Sequence, residues 1–160
     1  MTRHHVDAVT VTVEGPWFAH RVRVPLFEVD LGQGVYHGNY FHLFEIGREA
    51  FFRALGYPYS LLMADGLHLT VGSLQCRYRA SLHYDEEIEV QTAVNRLGRR
   101  SLSLAHRIQR LAHSGVPETT TEAVMNFVCV REGTPVPLPE RFSQNLRRWM
   151  GHDPELFEKA

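Results

Sequence analysis

The sequence predicts an α+β domain in which an antiparallel sheet wraps one long helix. Three observations lead there. Residues 40–55 carry apolar side chains at helical spacing. Residues 67–131 hold four consecutive stretches that read as strands. The segments between those strands are short. At 160 residues the chain is most simply one domain, long enough to bury a core without disulfide or metal support. An apolar fraction of 44% with 22% charged residues is that of a globular protein, so a disordered chain is set aside.

The first sixteen residues read as an N-terminal extension. Val9, Val11 and Val13 alternate there with threonines, a weak edge-strand pattern that Gly15-Pro16 ends. A strand is predicted over 17–26, with Phe18, His20, Val22 and Val24 on one face, and Pro25 assigns it to an edge. A glycine-containing loop follows, and then the helix. Asn39 is the predicted cap, its amide oxygen accepting from free first-turn N–H groups. Tyr40, Leu43, Phe44, Gly47, Phe51, Ala54 and Leu55 form the apolar face, and Gly56 with Pro58 stops it. Gly47 in mid-helix costs about 1 kcal/mol against alanine, so it implies close approach of the helix to the sheet. Residues 57–66 read as a turn.

The four strands are predicted at 67–80, 86–97, 100–110 and 118–131, as a meander of antiparallel neighbours. Ile88, Val90, Thr92 and Val94 share a face of the second, and Leu102, Leu104 and Ile108 point inward from the third. The run from Ala123 to Val130 is apolar on both faces, so the fourth strand belongs inside the sheet. A final amphipathic helix starts at Pro139. The expected division is an extension over 1–16, the domain over 17–139, and a C-terminal helix and tail over 140–160. One helix covers only part of such a sheet, which implies self-association through its edges or outer face.

A formal net charge of −1 gives no electrostatic case for nucleic acid or an anionic membrane. No apolar run approaches membrane-spanning length, and the N-terminus lacks the apolar core of a signal peptide. Cys76 and Cys129 sit in apolar runs without a CxxC partner, which fits a reducing compartment; the expected location is the cytoplasm. There is no G-x-S-x-G elbow, no Walker A loop, no complete dinucleotide loop and no HExxH helix, and nothing calls for a metal or a cofactor.

The chemistry concentrates in Glu28-Val29-Asp30-Leu31-Gly32-Gln33-Gly34-Val35-Tyr36-His37-Gly38-Asn39-Tyr40. Asp30 stands in a loop just before a helix. It suits a base or nucleophile aimed at a bound carbonyl, and equally an aspartate that caps a turn. The helix start offers unpaired N–H groups and the positive end of the macrodipole, where a carbonyl oxygen gains stability as it becomes an oxyanion. The glycines at 32, 34 and 38 permit close approach of backbone and substrate. His37 can orient the acid or the substrate, or serve as a local hydrogen-bonding residue. Glu28 reads as a solvated or supporting carboxylate. A second candidate is Gly98-Arg99-Arg100-Ser101, where two arginines and a hydroxyl can grip phosphates or simply form a solvated hairpin turn.

With Glu45, Gly47 and Arg48 in register behind it, this segment resembles the hotdog-fold acyl-CoA thioesterases of the 4-hydroxybenzoyl-CoA thioesterase type, near their Tol–Pal-associated branch. The likeness runs on through Arg77-Tyr78-Arg79-Ala80, Asp85 to Val90, Arg100-Ser101-Leu102 and Val128-Cys129-Val130. It departs at Glu28, Val29 and Leu26, and in the displaced glycines of Leu31-Gly32-Gln33-Gly34. The resemblance implies a hotdog fold and hydrolysis of acyl-CoA to free acid and CoA, CoA being part of the substrate. It places the essential acid on Asp30, acting as nucleophile or general base. It puts the oxyanion-polarising N–H on His37 and contacts to the CoA phosphates on Arg99, Arg100 and Ser101. It further implies a homodimer or homotetramer whose site lies between subunits, with those arginines coming from the neighbouring chain. Tyr36, Asn39, Val71 and Gly72, with Tyr40 and Leu67, are the candidate walls of the substrate pocket. Two other functions fit the same residues: a thioesterase acting on acyl-carrier protein within a biosynthetic pathway, and a non-catalytic acyl-CoA-binding module.

Overall fold

The structure is a computed structural model and describes residues 13, 15–111 and 114–151. Of the weak strand expected near the N-terminus, Val9 and Val11 lie outside the described residues, and Val13 is in irregular backbone. The sheet contains β1 (Phe18–Arg23), β2 (Leu67–Tyr78), β3 (Glu87–Leu97), β4 (Ser101–Arg110), β5 (Glu118–Arg131) and the two-residue β6 (Thr134–Pro135). All pairings are antiparallel, in the order β1-β3-β4-β5-β2, with β6 beside β5. The helices are α1 (Tyr40–Ala54), α2 (Tyr59–Ala64) and α3 (Glu140–Met150).

The predicted strand over 17–26 is shorter than expected. It ends at Arg23, because Pro25 and a 3-10 turn at Leu26–Glu28 redirect the chain. Its alternation is as expected: Phe18, His20 and Val22 are half-buried, and Ala19, Arg21 and Arg23 are exposed. The expected four-strand meander holds only for β3-β4-β5. The first of its strands, β2, does not pair with β3 but crosses to the far side of β5. Residues 79–86 can reach, since eight extended residues span about 26 Å whereas three strand spacings need only about 14 Å. There β2 pairs with the Ala123–Val130 run of β5, and β5 becomes an internal strand. The turn expected over 57–66 contains the six-residue helix α2, whose Tyr59 hydroxyl accepts from the Leu69 N–H at 3.0 Å. That contact satisfies one outward donor of β2, which is otherwise an open edge.

Helix α1 lies against the sheet through Tyr40, Leu43, Phe44, Gly47 and Phe51. Full burial of a leucine or phenylalanine contributes about 1.5–3 kcal/mol, so this face outweighs the helix's modest intrinsic propensity. Gly56, at φ +73°, gives the helix its left-handed exit, and Asn145 of α3 donates to the Leu55 carbonyl at 2.8 Å. Gly47 marks the closest crossing. A Cβ there would sit 2.4 Å from Cγ1 of Val90, a stiff β-branched side chain in β3. Gly47→Ala is therefore expected to destabilise the fold by about 1–2 kcal/mol, overpacking outweighing the better helix propensity. The measurement is the urea midpoint at constant m-value; an unmoved midpoint would contradict the close crossing.

Among the described residues no helix is long and apolar enough to cross a membrane.

Candidate active site

The Asp30 segment is a small hairpin set against the start of α1. Val29 pairs with Val35, Asp30 N–H donates to the Gly34 carbonyl at 3.0 Å, and Gln33 N–H donates to the Asp30 carbonyl at 3.0 Å. The loop is anchored to the sheet through Val35 N–H, which donates to Leu82 O at 2.8 Å, and through a bridge between Gly34 and His83. Asp30 Oδ1 accepts from the Gly32 N–H at 2.7 Å, and the residue is exposed. One oxygen thus holds the turn while the other has no hydrogen-bond donor among the described residues. The aspartate closes a turn, as one of its two sequence readings expects, and its second oxygen is left unengaged among the described residues.

The helix start differs from the expectation. Asn39 is not the cap: its backbone is already helical (φ −79°, ψ −12°) and its side chain makes no cap hydrogen bond. A 3-10 turn at His37–Asn39 opens the helix instead, and the Asn39 Nδ2 donates backward to the Glu28 carbonyl at 3.2 Å. Asn39 N–H bonds to Tyr36 O at 2.8 Å, whereas the N–H groups of His37 and Gly38 make no loop or cap hydrogen bond among the described residues. These two amides are the orphan donors of a helix start. Tyr78 of β2 donates its hydroxyl to the His37 carbonyl at 2.7 Å. Desolvation first, and the neighbouring Cys76 second, push the Tyr78 phenol above its ordinary range and keep it a donor. The Tyr36 and His37 rings lie 4.2 Å apart, both exposed, and a Cβ at Gly38 would come within 2.9 Å of the Tyr36 ring.

None of the glycines at 32, 34 and 38 adopts a positive φ. Positive φ falls on Gln33, at +65°. For a residue with a side chain that conformation costs about 1–2 kcal/mol, so the hairpin is held by its internal hydrogen bonds and its two ties to the sheet and not by local preference.

Glu28 is not solvated. It is 1% exposed, and both carboxylate oxygens meet His42 Nδ1, at 3.0 and 3.2 Å. Sequence reasoning missed His42. Its position two residues into α1 and fourteen from Glu28 gives no periodic signal; only the loop's return brings the two together.

Tyr36, His37 and Asn39 thus gather beside the Asp30 loop. Val71 and Gly72 lie elsewhere on β2, at a bulge between Val71 and Ser73. Val71 borders a cavity of about 340 Å³ with Arg48, Tyr59, Leu69 and Phe127. Tyr40 and Leu67, expected in a pocket wall, are core residues at 3% exposure each. Arg48 lies over the Phe127 ring at 4.8 Å, and burial pushes its guanidinium below its usual range. Arg99 and Arg100 lie in the β3–β4 turn, and Ser101 opens β4. Strand β3 starts beside the Asp30 loop and runs eleven residues, about 36 Å, to that turn. Within one chain these residues are therefore at opposite ends of the sheet. Arg99 borders a separate cleft of about 550 Å³ with Leu138 and Arg147.

An antiparallel sheet packed on one long helix is the hotdog architecture. The chain belongs to the thioesterase-like superfamily, whose family model matches residues 24–146. The solved structure of a hypothetical protein from Aquifex aeolicus is similar, with a TM-score of 0.74 at 29% identity over 81% of this chain and 98% of that one. The dynemicin thioesterase structure gives a TM-score of 0.75 at 25% identity, over 84% and 97%. The acyl-CoA thioester hydrolase YbgC of Escherichia coli is 28% identical over 113 residues, 71% of this chain and 81% of its own length.

Proposed function

We propose that this protein hydrolyses acyl-CoA thioesters to the free acid and CoA, with Asp30 at the reacting carbon. The observation that carries this is the Asp30 hairpin beside the unbonded His37 and Gly38 amides. A thioester oxygen resting on those amides gains negative charge in the tetrahedral intermediate, and one such donor is worth about 3 kcal/mol. Asp30 either takes a proton from the attacking water or attacks the carbonyl itself; in both cases the C–S bond breaks and the CoA sulfur leaves and is protonated, and in the second case water then hydrolyses the acyl–aspartyl anhydride to free the acid and restore Asp30.

The active unit in this reading is a homo-oligomer joined along β2. Two observations support it. Beyond the Tyr59 contact, β2 is an exposed edge bearing Val71, Leu74 and Tyr78 at 44%, 42% and 43% exposure. Leu26, Phe27 and Leu31 also stand in solvent around the Asp30 loop, an apolar patch suited to a partner or an acyl chain. Antiparallel joining of two β2 edges turns the far end of one sheet toward the loop end of the other, so Arg99 and Arg100 would serve the neighbour's Asp30.

The test is thiol release from a panel of aryl, short and long acyl-CoA esters, with matched acyl-carrier-protein esters beside them. Tight binding without release from any of them would overturn hydrolysis, and preference for the carrier would change the donor. For Arg99→Ala with Arg100→Ala, the expected result is a KM raised about tenfold for a CoA ester and little for its N-acetylcysteamine analogue, because only the former carries phosphates. Equal effects on both would remove the phosphate role.

A further inference from the structure

Glu28 is the one fully buried carboxylate among the described residues. A carboxylate taken out of water needs a compensating donor, and among the described side chains only His42 supplies one. A carboxylate can only accept, so Nδ1 of His42 carries the proton, which fixes the ring's tautomer and orientation. The His42 side chain itself is 60% exposed. It is therefore not part of the apolar core and is free to be replaced without opening a cavity.

The backbone of Glu28 is fully engaged as well. Its carbonyl accepts from the Tyr36 N–H at 3.0 Å and from Asn39 Nδ2 at 3.2 Å. Its own N–H closes the 3-10 turn onto Pro25 at 3.2 Å. Residue 28 thus ties together the turn that opens α1, the helix through His42, and the strand of the hairpin on which Asp30 sits two residues later. Of the two sequence readings of Glu28, solvated or supporting, the hydrogen bonds favour the second: with His42 it forms the joint between the acid's hairpin and the helix start.

From this arrangement we infer that His42 is a positioning residue for hydrolysis: by donating to the buried Glu28 carboxylate it sets the separation of Asp30 from the His37 and Gly38 amides. His42 touches no reacting atom in this role. The inference rests on the thioesterase reading. Its leverage is geometric, since a shift of about 1 Å in a reacting group can cost about 100-fold in rate.

The experiment measures kcat, KM and melting temperature of the full chain on an acyl-CoA that the wild type turns over. His42→Ala is expected to lower kcat about 10- to 100-fold with KM changed less than about threefold, the split that displaced catalytic groups produce. An asparagine amide presents an N–H near the place of Nδ1, so His42→Asn is expected to recover kcat to within about threefold of wild type. If His42→Ala does not fold, Glu28→Gln with His42→Ala removes the buried charge; low kcat in that folded protein supports the inference and wild-type kcat overturns it. The inference also fails if folded His42→Ala keeps wild-type kcat, or if folded His42→Asn is no faster than the alanine variant. An active wild type, a dead Asp30→Asn and an unaffected His42→Ala would overturn this inference alone. A wild type that releases no thiol from any thioester would overturn the thioesterase reading and this inference with it.

Discussion

Asp30→Asn is expected to lower kcat by about 10²–10⁴-fold, the usual span for removing a general base or carboxylate nucleophile. The substitution is nearly isosteric. Asparagine Oδ1 can still accept from the Gly32 N–H, the 2.7 Å bond that shapes the hairpin, and the loop's other anchors are backbone to backbone. Melting temperature and oligomeric state should therefore stay at wild-type values, which separates lost chemistry from lost structure. KM should change little, because the amides at His37 and Gly38 and the remaining binding surface are untouched. Single turnover in ¹⁸O-water then divides the two roles of the acid. A nucleophilic Asp30 forms an anhydride whose hydrolysis can leave ¹⁸O in its own carboxylate; a general base leaves all the label in the released acid. A fully active asparagine variant would remove Asp30 from the mechanism.

The sequence carried the local parts of this architecture. The long helix was legible because its apolar spacing is periodic, and Gly47 was legible as a close crossing because glycine there is otherwise unfavourable. The structure supplies the cause in Val90. Strand existence was equally plain, whereas strand partnership was not. A five-residue link between two strand-like runs suggests a hairpin, but β2 pairs with β5 and not with β3. That preference is a sum over the whole sheet and leaves no mark on the link itself.

The site divides in the same way. Asp30 and the helix start are neighbours in sequence, so their proximity could be read directly. Asn39 was misread because a 3-10 turn was added before the helix, moving the orphan amides to His37 and Gly38 and turning the asparagine side chain toward Glu28. Gln33 was unreadable as the left-handed residue because glycines stand on both sides of it, and the long-range bonds from Leu82 and His83 decide which one bends. Burial of Glu28 was invisible for a related reason: a carboxylate's environment is set by what folds over it, here Tyr36, Asn39 and His42 from the helix start.

Phe51→Ala is the substitution expected to cost most in stability, about 3–5 kcal/mol. Phe51 is fully buried on the sheet-facing side of α1. Its ring lies 5.7 Å from that of Phe18 on β1 and 5.3 Å from that of Trp149 on α3, and Trp149 in turn meets Phe18 at 6.1 Å and donates from its indole to the Pro16 carbonyl at 3.0 Å. Three elements distant in sequence therefore share one aromatic contact, and each aromatic pair adds about 0.5–1.5 kcal/mol beyond its buried area. Truncation removes two of the three ring contacts and leaves only the longest, Phe18 to Trp149, so it should loosen α3 together with the edge strand. At fixed protein concentration the melting temperature is expected to fall by about 10 °C. Amide exchange should then rise first in α3 and β1, while β4 and β5 stay protected until global unfolding. Uniform loss of protection across all elements would instead mean that α3 is an integral part of one cooperative unit, and a loss below about 1 kcal/mol would show that the aromatic cluster is not a structural joint.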